Sequence, residues 1–249
     1  MNRIFVLFLI FVSTVLNAQD DDRLNSFSAI IAKMGFSYHF SGADLSERFG
    51  AFPGVTGGLD YIFPNGKWSL TGQYTYRYGN NVKEDVLDNL RNERGFVVGI
   101  DGFPSDLFLR QRAYSGMLGL NRLFRLNQNE DIFWLVVGGG VGYMQHWIRL
   151  QDERNTAAQL NGLYESGYDR MTRGFTTHQY VGIQYLSSNK RINFFAGLEL
   201  VQGFTSGVRA WDYDRRAKPE SGRIDLLNGI RVGWILPFYL NVNTEVIYY

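Results

Sequence analysis

The chain has 249 residues, with 25 Lys plus Arg against 24 Asp plus Glu, and no Cys. A net charge of +1 leaves no basic excess for nucleic-acid binding. Without Cys there is no disulfide framework, so stability has to come from backbone pairing and packing.

Residues 1–18 read as a secretory signal peptide. Arg3 is the positive start, Ile4 to Val12 form the apolar stretch, and Leu16-Asn17-Ala18 before Gln19 is an acceptable cleavage site. A membrane-spanning helix needs roughly 20 apolar residues, and this run is shorter. No Cys follows it, as a lipoprotein would require. Beyond it, no apolar run reaches helix-spanning length, so any membrane crossing would use strands of a closed barrel.

Eight segments then alternate apolar and polar residues, which is the side-chain period of a strand. They cover about 27–41, 54–64, 67–78, 110–124, 131–149, 174–187, 191–207 and 222–236. In the seventh, Ile192, Phe194, Ala196, Leu198 and Leu200 share one face, and Asn193, Gly197, Glu199, Gly203 and Thr205 share the other. The fourth segment is the least clean.

Connections alternate in length. Short turns fall at Pro64-Asn65-Gly66, near Leu126-Asn127-Gln128-Asn129, and at Ser187-Ser188-Asn189-Lys190. Long loops fall at 42–53, 79–109, 150–173 and 208–221. A soluble sandwich and an outer-membrane barrel both alternate along a strand, but the short-turn, long-loop rhythm is that of the barrel. The expectation is an all-β, transmembrane, antiparallel up-and-down β-barrel of eight strands, filling 19–236. Residues 237–249 then form a periplasmic tail, because Pro237 interrupts any further strand. The alternative is ten strands, adding Gly95 to Phe103 and the tail.

On this register Lys33, Asp60, Arg77, Glu199, Asp225 and Arg231 point inward. An eight-stranded barrel is just wide enough for side chains to fill it, and buried charges need partners. The balanced set predicts an internal ion-pair network and no open aqueous pore. The three histidines, His39, His146 and His178, also point inward and lack metal-ligand spacing, so no metal or cofactor is expected. The Gly138-Gly139-Gly140 run lies within a strand with no helix after it, so it is not a phosphate loop. Its expected role is to make room for large lumenal neighbours such as Arg77 or Arg231.

The loops carry residue types common at binding hot spots: Arg154, Tyr164, Tyr168 and Arg170 in one, Arg209, Trp211, Tyr213 and Arg215 in another. Residues 82–92, with Val82, Val86, Leu87 and Leu90, have helical spacing and read as a lid, a partner-facing helix or a solvated capping loop. Arg outnumbers Lys twenty to five, which suits bidentate contacts to lipopolysaccharide phosphates.

Two resemblances bear on function. His39-Phe40-Ser41 is similar to the His-x-Ser pattern of outer-membrane lipid A deacylases, which implies Ser41 as nucleophile and His39 as base. In that family the pair faces lipid late in the chain, whereas here it faces inward in the first strand. The chain as a whole resembles small outer-membrane barrels of Gram-negative bacteria with type IX secretion and gliding machinery. The residues that carry this are Asn17-Ala18-Gln19, the absence of Cys, and Gly229-Ile-Arg-Val-Gly-Trp-Ile-Leu-Pro237 before an aromatic tail. That resemblance implies a non-enzymatic structural or accessory subunit of an envelope or secretion complex. Its partners would be outer-membrane lipid, lipopolysaccharide and a larger outer-membrane or periplasmic assembly. A narrow channel or a lipid-modifying hydrolase are the alternatives.

Overall fold

The computed structural model describes residues 28–127, 131–157, 160, 162–188 and 192–240. The signal-peptide reading of 1–18 lies outside these residues, as do the middle of two short turns and the chain beyond 240. Eight strands form the molecule: β1 (Ala29–Ala43), β2 (Phe52–Ile62), β3 (Trp68–Gly79), β4 (Leu107–Arg125), β5 (Ile132–Asp152), β6 (Thr172–Leu186), β7 (Asn193–Gly207) and β8 (Arg223–Tyr239). Each pairs antiparallel with its chain neighbours, and β1 closes the ring on β8 from Ala29↔Tyr239 to Ala43↔Asp225. A one-turn helix α1 (Asp44–Arg48) follows β1. Closure with eight strands overturns the ten-strand alternative: residues 95–103 supply only the bridge Val98↔Pro104, outside the barrel wall.

The period-two pattern sets the two faces. On β7, Phe195, Glu199, Val201 and Thr205 are buried, while Phe194, Leu198, Leu200 and Phe204 are exposed. Met34 is 69% exposed, Trp234 66% and Leu118 65%. Similar residues surround the barrel, an apolar exterior far larger than the patches soluble monomers carry. Aromatic pairs mark both rims: Tyr61 with Phe63 and Tyr185 with Phe194 near the short turns, Tyr38 with Phe40 and Tyr74 with Tyr114 toward the loops. On the loop side of β6–β8 the belt is broken by outward Gln179, Gln202 and Asn228; Gln202 Nε2 donates to Gln179 Oε1 at 3.5 Å.

The short turns form as their residues dictate. Gly66 adopts φ 64°, open to glycine, and its amide donates to the Phe63 carbonyl at 2.8 Å. One boundary needs correction. The strand does not stop at 236: β8 continues through Pro237, which pairs with Ile31, to Tyr239. The β7–β8 pairing ends at Trp234, so Pro237 has a strand on one side only. A proline is tolerated there because no second ladder asks for its missing N–H.

Two apolar layers fill the interior at opposite ends. At the turn end, Ile31, Leu123, Trp134, Val136, Phe195 and Ile235 pack together. At the loop end, Phe49, Phe52, Met144, Ile148 and Leu227 from the barrel and its rim meet Val86 and Leu87 from the β3–β4 loop. The helical spacing expected over 82–92 yields only a three-residue 3-10 turn, Asp88–Leu90. Its apolar residues work as a lid: Val86 and Leu87 are fully buried in the mouth.

Candidate functional site

A layer of charged and polar side chains lies between the two apolar layers. Glu199 is its hub. His39 Nε2 lies 2.8 Å from Glu199 Oε1, Arg77 Nη2 lies 3.5 Å from the same oxygen, and Arg231 Nη1 lies 3.0 Å from Oε2. Gln73 Nε2 donates to Oε2 at 3.2 Å. The Arg231 guanidinium also sits 4.4 Å from the Tyr180 ring centroid, a cation–π contact. Lys33 pairs with Asp60, whose other oxygen accepts from Thr71 Oγ1 at 2.5 Å. The sixth inward residue, Asp225, stands apart. It bonds His146 Nε2 at 2.9 Å and Thr205 Oγ1 at 2.5 Å, nearer the loops. The space left between Lys33, Asp60, Gln73 and Arg231 is about 10 Å³, roughly the room of one water.

Neither candidate for chemistry assembles. His39 spends Nε2 on Glu199, and Ser41 Oγ donates to the carbonyls of Phe49 and Gly50 at 2.5 and 3.0 Å. The His39 base therefore does not reach the Ser41 hydroxyl. The glycine run has a packing role, but its neighbours differ from those expected. A Cβ on Gly138 would strike Asn121, one on Gly140 the β4 backbone, and one on Gly142 both that backbone and Met117. Elsewhere, Gly182 and Gly197 leave room for the Tyr180 hydroxyl, and Gly54 lies against Arg77.

Above the mouth the loops lock together through a second ionic cluster, in which Glu84 is the hub. Arg48 Nε donates to Glu84 Oε2 at 2.9 Å; Arg170 Nε and Arg215 Nη2 lie 3.2 and 2.5 Å from Oε1. Arg48 Nη1 also donates to the Arg170 carbonyl and to Thr172 Oγ1. Glu220 pairs with Arg215 and Arg223, and Asp169 with Arg209. These contacts tie the rim helix α1, the β3–β4 loop, the β5–β6 loop and the β7–β8 loop into one cap.

Charge in the cap is tuned by its neighbours. Burial pushes the Glu84 carboxyl up, but Arg48, Arg170 and Arg215 outweigh it and hold the pKa below the ordinary 4.5. Glu220 is likewise pushed up by burial and held below 4.5 by Arg215 and Arg223. Asp212 goes the other way: burial raises it above 3.8 despite Arg170. Depressed carboxylates stabilise above their unfolded pKa and lose that contribution as pH falls through the folded value. The contribution of Glu84 and Glu220 to the cap is therefore expected to hold from pH 7 down towards 4.5 and to be lost below it, with cap proteolysis accelerating in that lower range, while Asp212 acts in the opposite sense. Loop cleavage that already accelerates near pH 6 would contradict this.

The eight loop residues singled out in the sequence divide by role. Arg170 needs correction as a contact residue. It is 4% exposed, holds φ 51°, and pairs with Glu84, Asp212 and Asp214 inside the cap. Arg209 and Arg215 are also spent on carboxylates. Arg154 pairs with Asp106 at the surface, where such a pair contributes little. The aromatic residues remain available: Tyr164, Trp211 and Tyr213 are exposed, and Tyr213 packs against both Tyr164 and Tyr168. Arg110, Arg112 and Arg149, which alternation alone does not mark as candidates, point outward from β4 and β5, as Arg173 does from β6. The signal was present, since Arg at outward positions is what made the fourth segment irregular.

No family model and no curated protein matches the chain. In fold it is similar to solved outer-membrane β-barrels. The outer membrane protein OprG from Pseudomonas aeruginosa is 11% identical, covers 89% of this chain and 100% of its own, and gives a TM-score of 0.48. The attachment invasion locus protein Ail of Yersinia pestis is 13% identical over 85% of this chain and 99% of its own, with a TM-score of 0.38. Neisserial surface protein A is 11% identical over 83% and 99%, with a TM-score of 0.37.

Proposed function

We propose that the chain is an exported, non-enzymatic outer-membrane barrel that serves as a structural or accessory subunit of an envelope or secretion complex. One observation carries the reading: an apolar exterior encircles a lumen closed at both ends. A closed barrel with outward apolar residues is the strand-built solution to crossing a bilayer. The long loops then face outside and the short turns the periplasm, with the segment 1–18 as the export signal. The two apolar layers and the filled charged layer support a barrel that conducts nothing. His39 bound to Glu199 supports a non-enzymatic lumen. Partner recognition is left to the cap, where Tyr164, Trp211 and Tyr213 are exposed, and to the wall, where lipid tails cannot satisfy Gln179, Gln202 and Asn228.

Two measurements on the protein from native membranes test this. In planar bilayers it is expected to give no porin-sized conductance, and an open-channel signal would refute the sealed lumen. In native gels of gently solubilised outer membranes it is expected to migrate in an assembly larger than a monomer. Monomeric migration alone would refute the accessory role.

A further inference from the structure

On the outward face of β4–β6, four arginines stand near the loop end: Arg110, Arg112, Arg149 and Arg173. Arg110 and Arg149 are directly opposite in the β4–β5 register. Like charges so placed repel. Arg112 is diagonal to Arg149, and Arg173 pairs in register with Gln145, diagonal to Trp147. Among the described residues no carboxylate pairs with any of them. Arg110 reaches only Gln151 Oε1 at 3.4 Å and the Phe108 ring, and Arg112 Nη1 donates to the Gln111 carbonyl at 2.7 Å. Every loop arginine described above, by contrast, has a carboxylate.

Deeper on the same wall the apolar belt has a shallow, open hollow. Its floor is Gly57, Gly72 and Gly116, and its walls include Leu59, Tyr74, Leu118 and Phe175. Neighbours do not force these glycines. A Cβ at Gly57 or Gly116 would meet nothing within 4 Å, and one at Gly72 only an ordinary contact with Leu118. Glycine weakens a strand interior, so the barrel wall alone has no use for three of them here. Arg173 is two residues from Phe175 along β6, about 7 Å at strand rise. Arg112 is four residues from Gly116, about 13 Å.

We infer that this wall binds one phosphorylated, acylated glycolipid of the outer leaflet, the lipid A end of lipopolysaccharide. Its phosphates sit on the Arg110, Arg112, Arg149 and Arg173 cluster, and one acyl chain lies in the glycine-floored hollow. The site rests on the outer-membrane reading above. Arginine is the residue suited to this grip, because its fork meets phosphate oxygens two at a time. An anion between Arg110 and Arg149 also removes the repulsion that the register imposes.

The test is native mass spectrometry of the full barrel in mild detergent, titrated separately with lipid A, with lipid A stripped of phosphate, and with phosphatidylglycerol. One lipid A is expected to bind, at least about tenfold more tightly than either of the others, the factor expected from losing one charge-assisted contact or more. The exposed double variant Arg149→Gln/Arg173→Gln is expected to lose about tenfold or more in lipid A affinity. Gly116→Leu, which fills the hollow with the charges untouched, is expected to weaken it as well. Equal binding of lipid A and phosphatidylglycerol, or unchanged affinity in both variants, would overturn the site. Location is scored separately, by membrane fractionation and heat-modifiable migration of the same variants. A barrel found in the outer membrane with unaltered lipid binding refutes only the site; absence from that membrane refutes the reading beneath it.

Discussion

Glu199→Ala is expected to destabilise the barrel by about 3–5 kcal/mol, the cost of removing one partner from a buried ion network. Glu199 is 2% exposed and is the carboxylate that Arg77, Arg231 and His39 share. Without it, two guanidinium groups remain near the barrel axis without their carboxylate, and Asp60, beside Arg231 at the small central space, is already paired with Lys33. Arg77 is 1% exposed and cannot swing to water, because an apolar layer closes each end of the lumen. Arg231 keeps its contact with Tyr180, which offsets only part of the loss. The measurement is urea unfolding of refolded protein in lipid vesicles, followed by tryptophan fluorescence. A midpoint equal to wild type would refute the hub role. The triple variant Glu199→Ala/Arg77→Met/Arg231→Met guards against a variant that fails to fold. It removes the stranded charges along with their partner, and is expected to recover most of the lost stability.

That network shows where a sequence stops being legible. All eight strands could be found from period-two alternation, because each strand records which of its own residues face out. The identity of the inward charged residues was equally local. Their pairing was not. Glu199 on β7 meets His39 on β1, Arg77 on β3 and Arg231 on β8, and only the last is on an adjacent strand. Such contacts cross the lumen at a height fixed by strand stagger around the whole ring. No single segment encodes that stagger. For the same reason Asp225 looked like a member of the central set and proved to belong with His146 nearer the mouth.

The loops are ambiguous in the sequence for a different physical reason. Arginine is enriched at binding hot spots, but it is equally the residue that cross-links carboxylates within a folded loop. Composition cannot separate the two uses. Arg170, Arg209 and Arg215 fold the cap, whereas Arg149 and Arg173 on the wall have no carboxylate partner among the described residues. Parity would have distinguished them. An outward arginine within an apolar strand cannot reach a lumenal acid, so its charge has to be met from outside. Apolar residues at inward positions carried a similar unread message. Phe194-Phe195 and Leu135-Val136-Val137 are apolar on both faces, which is how the turn-end layer that closes the lumen is written in the sequence.

Val232→Arg is expected to cost about 2–4 kcal/mol, and Ile224→Arg about 0–1 kcal/mol, if lipid surrounds the wall. Both side chains point outward on β8 and are about half exposed. Val232 lies between Phe36 of β1 and Ala196 of β7 in register, within the apolar stretch from Ile230 to Phe238. Ile224 is the second residue of β8, at the loop rim, and its amide is bonded by Asp44 Oδ2. An arginine there can reach the headgroups, whereas one at Val232 has to be carried into hydrocarbon. The same vesicle unfolding assay reads both. The comparison isolates the surroundings from the fold, since strand, face and substitution are identical. In water an exposed valine or isoleucine replaced by arginine loses almost nothing at either site. Equal, small effects would therefore mean that the apolar wall is covered by something other than lipid, and a large effect confined to Val232 requires a bilayer.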